Sequence, residues 1–214
     1  MKPIKHSIKE QIYDILKNRI LTQRYTTGEK INMLTLSQEF EISNAPIREA
    51  LSKLESEGLV VFTPNTGHRV VDLFPQLCQD VIETALSLIL GSIELFSEKQ
   101  MLDTLVPYME QTLEKQKNIA QQQDIFSFVA TAIHFDFGAL RLLENKILTK
   151  LYDHISDLLY LVILQYYQNN PIQFSISIQE HTEILSTLYQ NDRQAFQRHI
   201  KKHYKNMLLT IQST

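Results

Sequence analysis

Apolar residues recur at helical spacing along most of the chain. The first such stretch, Ile8 to Leu21, puts Ile8, Ile12, Ile15, Leu16 and Ile20 on one side of an amphipathic helix. Thr26, Thr27 and Gly28 interrupt it. A short second helix is expected from an Asn32 N-cap through Phe40, with Leu36 and Phe40 on a shared face. Ser43 caps a third, in which Pro46 falls in the first turn, where its missing N–H costs nothing, and Ile47, Leu51 and Leu54 make the buried stripe. Gly58 ends it. Leu59 to Thr63 and His68 to Asp72 are short runs rich in Val and Phe around Pro64, Asn65, Thr66 and Gly67, which is the pattern of a β-hairpin.

Beyond residue 72 no strand pattern follows, and helices are expected near 76–98, 101–121, 123–143, 145–168, 174–190 and 192–212. Their clearest break is at Asn169, Asn170 and Pro171. Short connections join antiparallel neighbours, so the second half reads as an all-α bundle. The fold class is therefore mainly α. Residues 1–72 form a winged helix-turn-helix of three helices and a β-hairpin wing, and residues 73–214 an antiparallel helical domain.

Composition narrows the function classes. The one cysteine, Cys78, excludes an internal disulfide framework and fits a reducing compartment. No apolar run approaches the roughly 20 residues of a membrane span, and Met1 to Ile8 have no apolar stretch behind their cations, so a cytoplasmic protein without a secretory signal is expected. Net charge is −3. Residues 1–72 hold ten Lys/Arg against nine Asp/Glu, and residues 73–214 hold eleven against fifteen, so the acidic excess lies in the second half. A near-neutral DNA-binding domain works when its cations share one face, which is a matter of placement.

In a helix-turn-helix the first turns of the second helix enter the major groove. Here those turns carry Asn44, Ala45 and Arg48. Arg48 suits bidentate pairing with guanine and Asn44 with adenine, while Ser43, Lys53 and the helix N-terminus suit phosphates. Thr66, Gly67, His68 and Arg69 form the expected wing tip. Arg48 alone would read as a solvated charge paired with Glu49 or Glu55. Its company argues otherwise.

The string I-S-N-A-P-I-R-E-A-L-S-K-L-E-S-E-G-L-V at 42–60, with the wing at 65–71, resembles the GntR-type winged helix, and the likeness covers about the first 72 residues. Asn44 stands where that family usually has arginine, and Leu34 where it has a polar or basic residue, which implies a different operator preference. The second half resembles the effector domain of the FadR branch, a helical bundle that binds carboxylate-type metabolites, often through a metal. The residues that carry this are His134 to Leu148 with Asn145, the pair Glu180-His181, Asp192, and His203 at the expected distance from His181.

The resemblance implies a homodimer on pseudo-palindromic double-stranded operator DNA, and a small-molecule effector, carboxylate or acyl, that changes DNA affinity. Repression relieved by effector is the favoured reading, with activation the alternative. His134, His181 and His203 are the candidate ligands of a divalent metal (Zn, Mn or Ni), with Asn145 and Tyr160 as candidate pocket residues. The Asp-x-x-x-His element of the family is incomplete around His134, where four residues before is Ala130 and four after is Gly138. Counting back from Asn145 puts Asp136 near the histidine slot instead. A metal site and a metal-free apolar cavity both stay open. Two further readings compete: a metal hydrolase built on His134, Asp136, His181, His199 and His203, and a DNA-binding module whose helices only dimerise. Carboxylates placed as general base are scarce for the hydrolase, and the attached DNA-binding motif argues against it.

Overall fold

A computed structural model describes residues 7–168 and 173–212. The break expected at Asn169 to Pro171 lies outside the described residues. The chain divides into two compact units, Met1–Leu73 and Phe74–Thr214.

In the first unit, α1 spans Ile8–Leu21, and its N-terminus is closed by a capping box in which Ser7 Oγ accepts from Glu10 N–H and Glu10 Oε2 accepts from Ser7 N–H. Strand β1 is Lys30–Ile31. Helix α2, Met33–Phe40, starts on Asn32, whose Oδ1 accepts from Leu34 and Thr35 N–H at 2.9 and 3.3 Å. Helix α3 is Asn44–Ser56. Ser43 holds its N-cap position, but the hydroxyl makes no capping bond. Strands β2, Val60–Thr63, and β3, Gly67–Val70, form the hairpin. β3 lies central in an antiparallel sheet of order β1-β3-β2, with Ile31 and Phe62 both opposite His68.

Beneath these elements Ile12, Leu16, Ile20, Leu36, Ile47, Leu51, Leu54 and Leu59 form an apolar core. Tyr13 belongs to the buried side of α1, whereas Ile8 and Ile15 point outward. Strand β1 escapes a pattern reading because two residues show no period. At the wing, Asn65 and Gly67 take positive φ of 70° and 85°, and the missing Cβ leaves open space around Gly67.

The second unit is a bundle of α4 (Pro75–Glu98), α5 (Leu102–Gln122), α6 (Ile125–Asp136), α7 (Gly138–Leu142), α8 (Lys146–Gln168), α9 (Gln173–Tyr189) and α10 (Arg193–Gln212). α5 packs against α6 and α9, α4 against α8 and α10, and α9 against α10. One expected helix, 123–143, is two. The chain turns at Phe137, and a Cβ on Gly138 would come within 3.0 Å of the Tyr108 ring, so α7 packs closely on α5 just past the break. Helices in this glycine-poor unit end on Gln100, Gln123, Glu144 and Asn191 with φ of 51–55°, a left-handed conformation that costs about 1 kcal/mol for such residues.

Candidate functional site

On the winged unit, Ser43, Asn44, Ala45 and Arg48 are exposed on the opening turns of α3. Arg48 makes no hydrogen bond or ion pair among the described residues. Glu49 pairs instead with Lys9 at 3.1 Å. Arg48 borders two grooves, one against α1 with Lys9, Tyr13 and Ser52, the other against the wing with Asn32, Thr66 and Gly67. Lys53 sits on the α1 side, its ammonium 3.5 Å from the centroid of the Tyr13 ring, a cation–π contact that holds it over that groove.

The wing tip is narrower than the sequence suggests. Thr66 is exposed on the turn, its N–H donating to Thr63 O at 3.2 Å. His68 is 8% exposed, on the inner side of β3 with its ring centroid 4.9 Å from that of Phe62. Burial lowers its pKa, Arg48 lowers it further, and Glu55 opposes. Alternation along a strand sends Arg69 to the opposite, outer face, where Nη1 donates to Gly28 O at 3.0 Å. The structure therefore withdraws His68 from the tip and leaves Arg69 outside.

In the bundle, His181 on α9 and His203 on α10 do converge, but their partner is Asp136 at the end of α6. The three offer ligand atoms within 4.8 Å of one another. They are 6% (Asp136), 0% (His181) and 4% (His203) exposed, so bulk solvent does not reach them. His134 is exposed, because two residues along an α-helix turn a side chain through about 200°. With Asp136 near the histidine slot, the position four before it, where the family resemblance calls for aspartate, is Ala132, itself buried. Asn145 is the cap of α8, exposed, its Oδ1 accepting from Ile147 and Leu148 N–H at 3.0 and 3.2 Å. Tyr160 is half-buried outside the triad, its hydroxyl pKa pushed up to about 12 by burial and by Asp124. His199 stands 3.5 Å from Glu183, also outside the triad.

Neighbouring side chains orient both imidazoles. Gln116 on α5, itself fully buried, accepts from His181 Nδ1 at 2.8 Å. Glu180 Oε2 accepts from His203 Nδ1 at 2.6 Å and is held by Asn206 Nδ2 on its other oxygen at 2.8 Å. With Nδ1 donating, each ring turns an Nε2 lone pair toward Asp136, at 3.5 Å from Oδ1 for His181 and 4.0 Å from Oδ2 for His203. Tyr204 donates to Asp136 Oδ2 at 2.7 Å. Asp136 Oδ1 and His181 Nε2 remain buried with no hydrogen-bond partner.

Burial raises the Asp136 carboxyl to about 6 against the pull of His203 and Tyr204. It drives His181 well below the usual histidine range, helped by His203. Burial acts the same way on His203, but the Glu180 hydrogen bond and the Asp136 charge outweigh it and raise that group. A neutral His181 facing a carboxylate through its Nε2 lone pair sets acceptor against acceptor, with no proton between them to make a hydrogen bond. Two imidazole nitrogens and a carboxylate oxygen are a fitting donor set for a divalent cation.

Asp136 and Gln116 were legible in principle. Phe128, Ala132 and Asp136 are spaced by four along one buried face of α6, as are Leu105, Met109 and Leu113, followed by Gln116, on α5. A polar residue on an apolar stripe is the signal both share.

A winged helix with an open arginine on its recognition helix, joined to a helical domain with a buried Asp-His-His cluster, is the build of a DNA-binding regulator with a sensing domain. The chain belongs to the GntR family of bacterial regulatory proteins, whose model matches residues 8–70, and an FCD domain, the FadR-type C-terminal domain, matches residues 99–206. It is 24% identical over 196 residues to the HTH-type transcriptional regulator YdhC of Bacillus subtilis strain 168, covering 92% of this chain and 87% of that one. Over 71 residues it is 34% identical to the HTH-type transcriptional repressor GlaR of Escherichia coli K12, covering 33% of this chain and 32% of that one.

The fold is shared with a GntR regulator of Rhodococcus sp. RHA1 at a TM-score of 0.82, with 16% identity and 98% and 99% of the two chains covered. It is shared with E. coli McbR/YncC at 0.69, again with 16% identity and the same coverage. The protein is a transcriptional regulator with a DNA-binding helix-turn-helix and an effector-binding domain. These are domains of regulators, not enzymes, and the hydrolase reading falls with them. No described helix is long and apolar enough to cross a membrane.

Proposed function

We propose that the protein is a homodimeric, cytoplasmic repressor whose operator affinity is set by a divalent cation and a small carboxylate or acyl effector in the helical domain. Ser43, Asn44, Ala45 and Arg48 read the major groove, Thr66 and Gly67 let the wing approach the backbone, and Lys53 and Arg69 meet phosphates at the edges. The repressor sign draws support from GlaR, a repressor similar over the DNA-binding third of the chain. Zn, Mn and Ni all suit the donor set, with Asp136, His181 and His203 as ligands. When bound, such an ion supplies fixed positive charge that satisfies the two orphaned atoms and ties α6, α9 and α10 together.

The observation that carries this reading is the convergence of two oriented Nε2 lone pairs on a buried carboxylate, one of whose oxygens has no hydrogen-bond partner. The test is elemental analysis of the purified chain, followed by operator titration before and after chelation and on adding back Zn, Mn or Ni. The expected result is one ion per chain, with a reversible change in DNA affinity of about fivefold or more, the lower end of typical coupling. A chain that stays metal-free after dialysis against all three ions would overturn the cation reading.

A further inference from the structure

The triad is buried, and the bundle has an open cleft beside it. A cleft of about 660 Å³ opens between the C-terminal turns of α5 and α8, the start of α6 and the first turns of α9. That volume lies within the range of small-molecule sites. Its floor is apolar: Ile125, Ile178, Tyr167 and Phe174 line it. Phe174 is clamped there, stacked on Phe128 at 4.0 Å between centroids and edge-on to Tyr167 at 5.5 Å.

Around this floor stand the amides of Gln121, Gln123 and Gln168, and Lys117 is the one charged side chain among the described lining residues. Lys117 pairs with Glu114 at 2.6 Å, three residues back on an exposed helix face, a kind of contact that is weakly held and readily exchanged for a ligand carboxylate.

The cleft also touches the buried polar centre. Tyr167 is fully buried and its hydroxyl borders Ser177, yet neither oxygen completes a well-formed hydrogen bond. Ser177 lies one turn before His181 on α9 and is buried with it. Lys117 follows Gln116, which holds His181. A ligand seated on Lys117 and Ile178 would therefore press on the α5–α9 pair whose register the Gln116–His181 bond fixes.

We propose that this cleft, and not the Asp136–His181–His203 triad, is the effector site, and that it takes an amphipathic monocarboxylate: an acyl or aryl body on Phe174, Ile125 and Ile178, with its carboxylate on Lys117 and the surrounding amides. This deepens the effector reading above and rests on it for the link to DNA.

Octanoate is the probe, with octylammonium and octan-1-ol as controls, and binding is followed by isothermal titration to the full chain. Octanoate is expected to bind one per chain, and each control about tenfold more weakly or worse, since only the carboxylate complements Lys117. Lys117→Glu and the cleft-filling Ile178→Trp each lower octanoate affinity about tenfold or more, with the fold checked by circular dichroism. Chelator-treated wild type keeps its octanoate affinity. Octanoate binding that vanishes on chelation but survives Lys117→Glu would move the effector to the triad and overturn the cleft, leaving the general effector reading intact. Equal binding of octylammonium, or no saturable binding of octanoate, overturns the proposal as well. The cation-dependent change in operator affinity judges the broader reading on its own.

Discussion

In the winged helix the side chains proposed to meet DNA stand in solvent over a core that is apolar apart from His68, whereas in the bundle the reactive side chains are part of the core. Arg48 needs only a position on a helix and an absence of partners. Asp136, His181 and His203 need three helices to meet, a fourth to supply Gln116, and a desolvation cost that a pair of unsatisfied atoms leaves unbalanced. The first kind of site is a property of a segment. The second is a property of packing, and it remains incomplete until something binds.

The largest expected effect tests that incompleteness. His181→Ala removes one of three ligands, and its cation affinity should fall about 100-fold or more, beyond what loss of an outer-shell partner alone produces. Gln116→Leu keeps the ligands but frees the His181 ring, and should cost about 10- to 100-fold. Competition against a chromophoric chelator measures both. Wild type at 100 times its dissociation constant should gain about 2.7 kcal/mol of stability from the ion, and the alanine variant almost none. Equal cation affinity in all three proteins would mean that the bundle's polar centre is only a strained core.

Arg48→Ala probes the other side of the comparison. Specific operator binding should weaken by about 1–3 kcal/mol, read by fluorescence anisotropy, while the melting temperature stays put because the side chain has no hydrogen-bond or ion-pair partner among the described residues to lose. Wild-type affinity in that variant would remove Arg48 from the interface. A large fall in melting temperature would show that this exposed arginine is structural after all.

How far the sequence was legible follows the same division. The amphipathic period places α1, and the period with Asn32 and Ser43 places α2 and α3, closely, because propensity and burial agree within each short segment, although Ser43 marks its helix start without making the capping bond. The gntR match over 8–70 covers the same stretch. In the bundle, helix positions are equally readable, yet which face of α6 turns inward is not settled by periodicity when Phe126, Phe128, Phe135 and Phe137 are spread around the helix. That ambiguity leaves both His134 and Asp136 as candidates, and the structure brings Asp136 to His181 and His203. Nor does a sequence show that Gly138 lies against Tyr108, a close approach just past the end of α6 at Asp136. Asn145 is a subtler case: its place before α8 announces a cap as clearly as Asn32 does before α2, but the family resemblance drew it toward the effector.

Those two asparagines give the next prediction. Asn32→Ala and Asn145→Ala should each cost about 1 kcal/mol of stability in denaturant titrations, while Asp or Ser at either position retains most of it. Cation affinity in Asn145→Ala should match wild type. A variant of normal stability but weakened cation or effector binding would return Asn145 to the site.

The smallest effect concerns two histidines that titrate in opposite senses. His203 is raised in the fold, so in the cation-free protein its contribution is full below the ordinary histidine pKa and fades as pH rises through the folded value. His68 is lowered by burial, so the unfolded chain binds its proton more readily than the folded one. Its neutral form supports the wing above a pH of about 6.5, and that support drains away as pH falls below it. His68→Phe keeps a ring opposite Phe62 and deletes the titration. Denaturation midpoints of wild type and variant, compared from about pH 7.5 down to about pH 5.5, should diverge in the variant's favour as the pH drops. The other titrating groups are common to both proteins and cancel in the difference. Parallel profiles would mean that His68 accepts a proton in the folded wing without penalty, in which case its ring reaches solvent and it rejoins Thr66 and Gly67 as a candidate DNA contact.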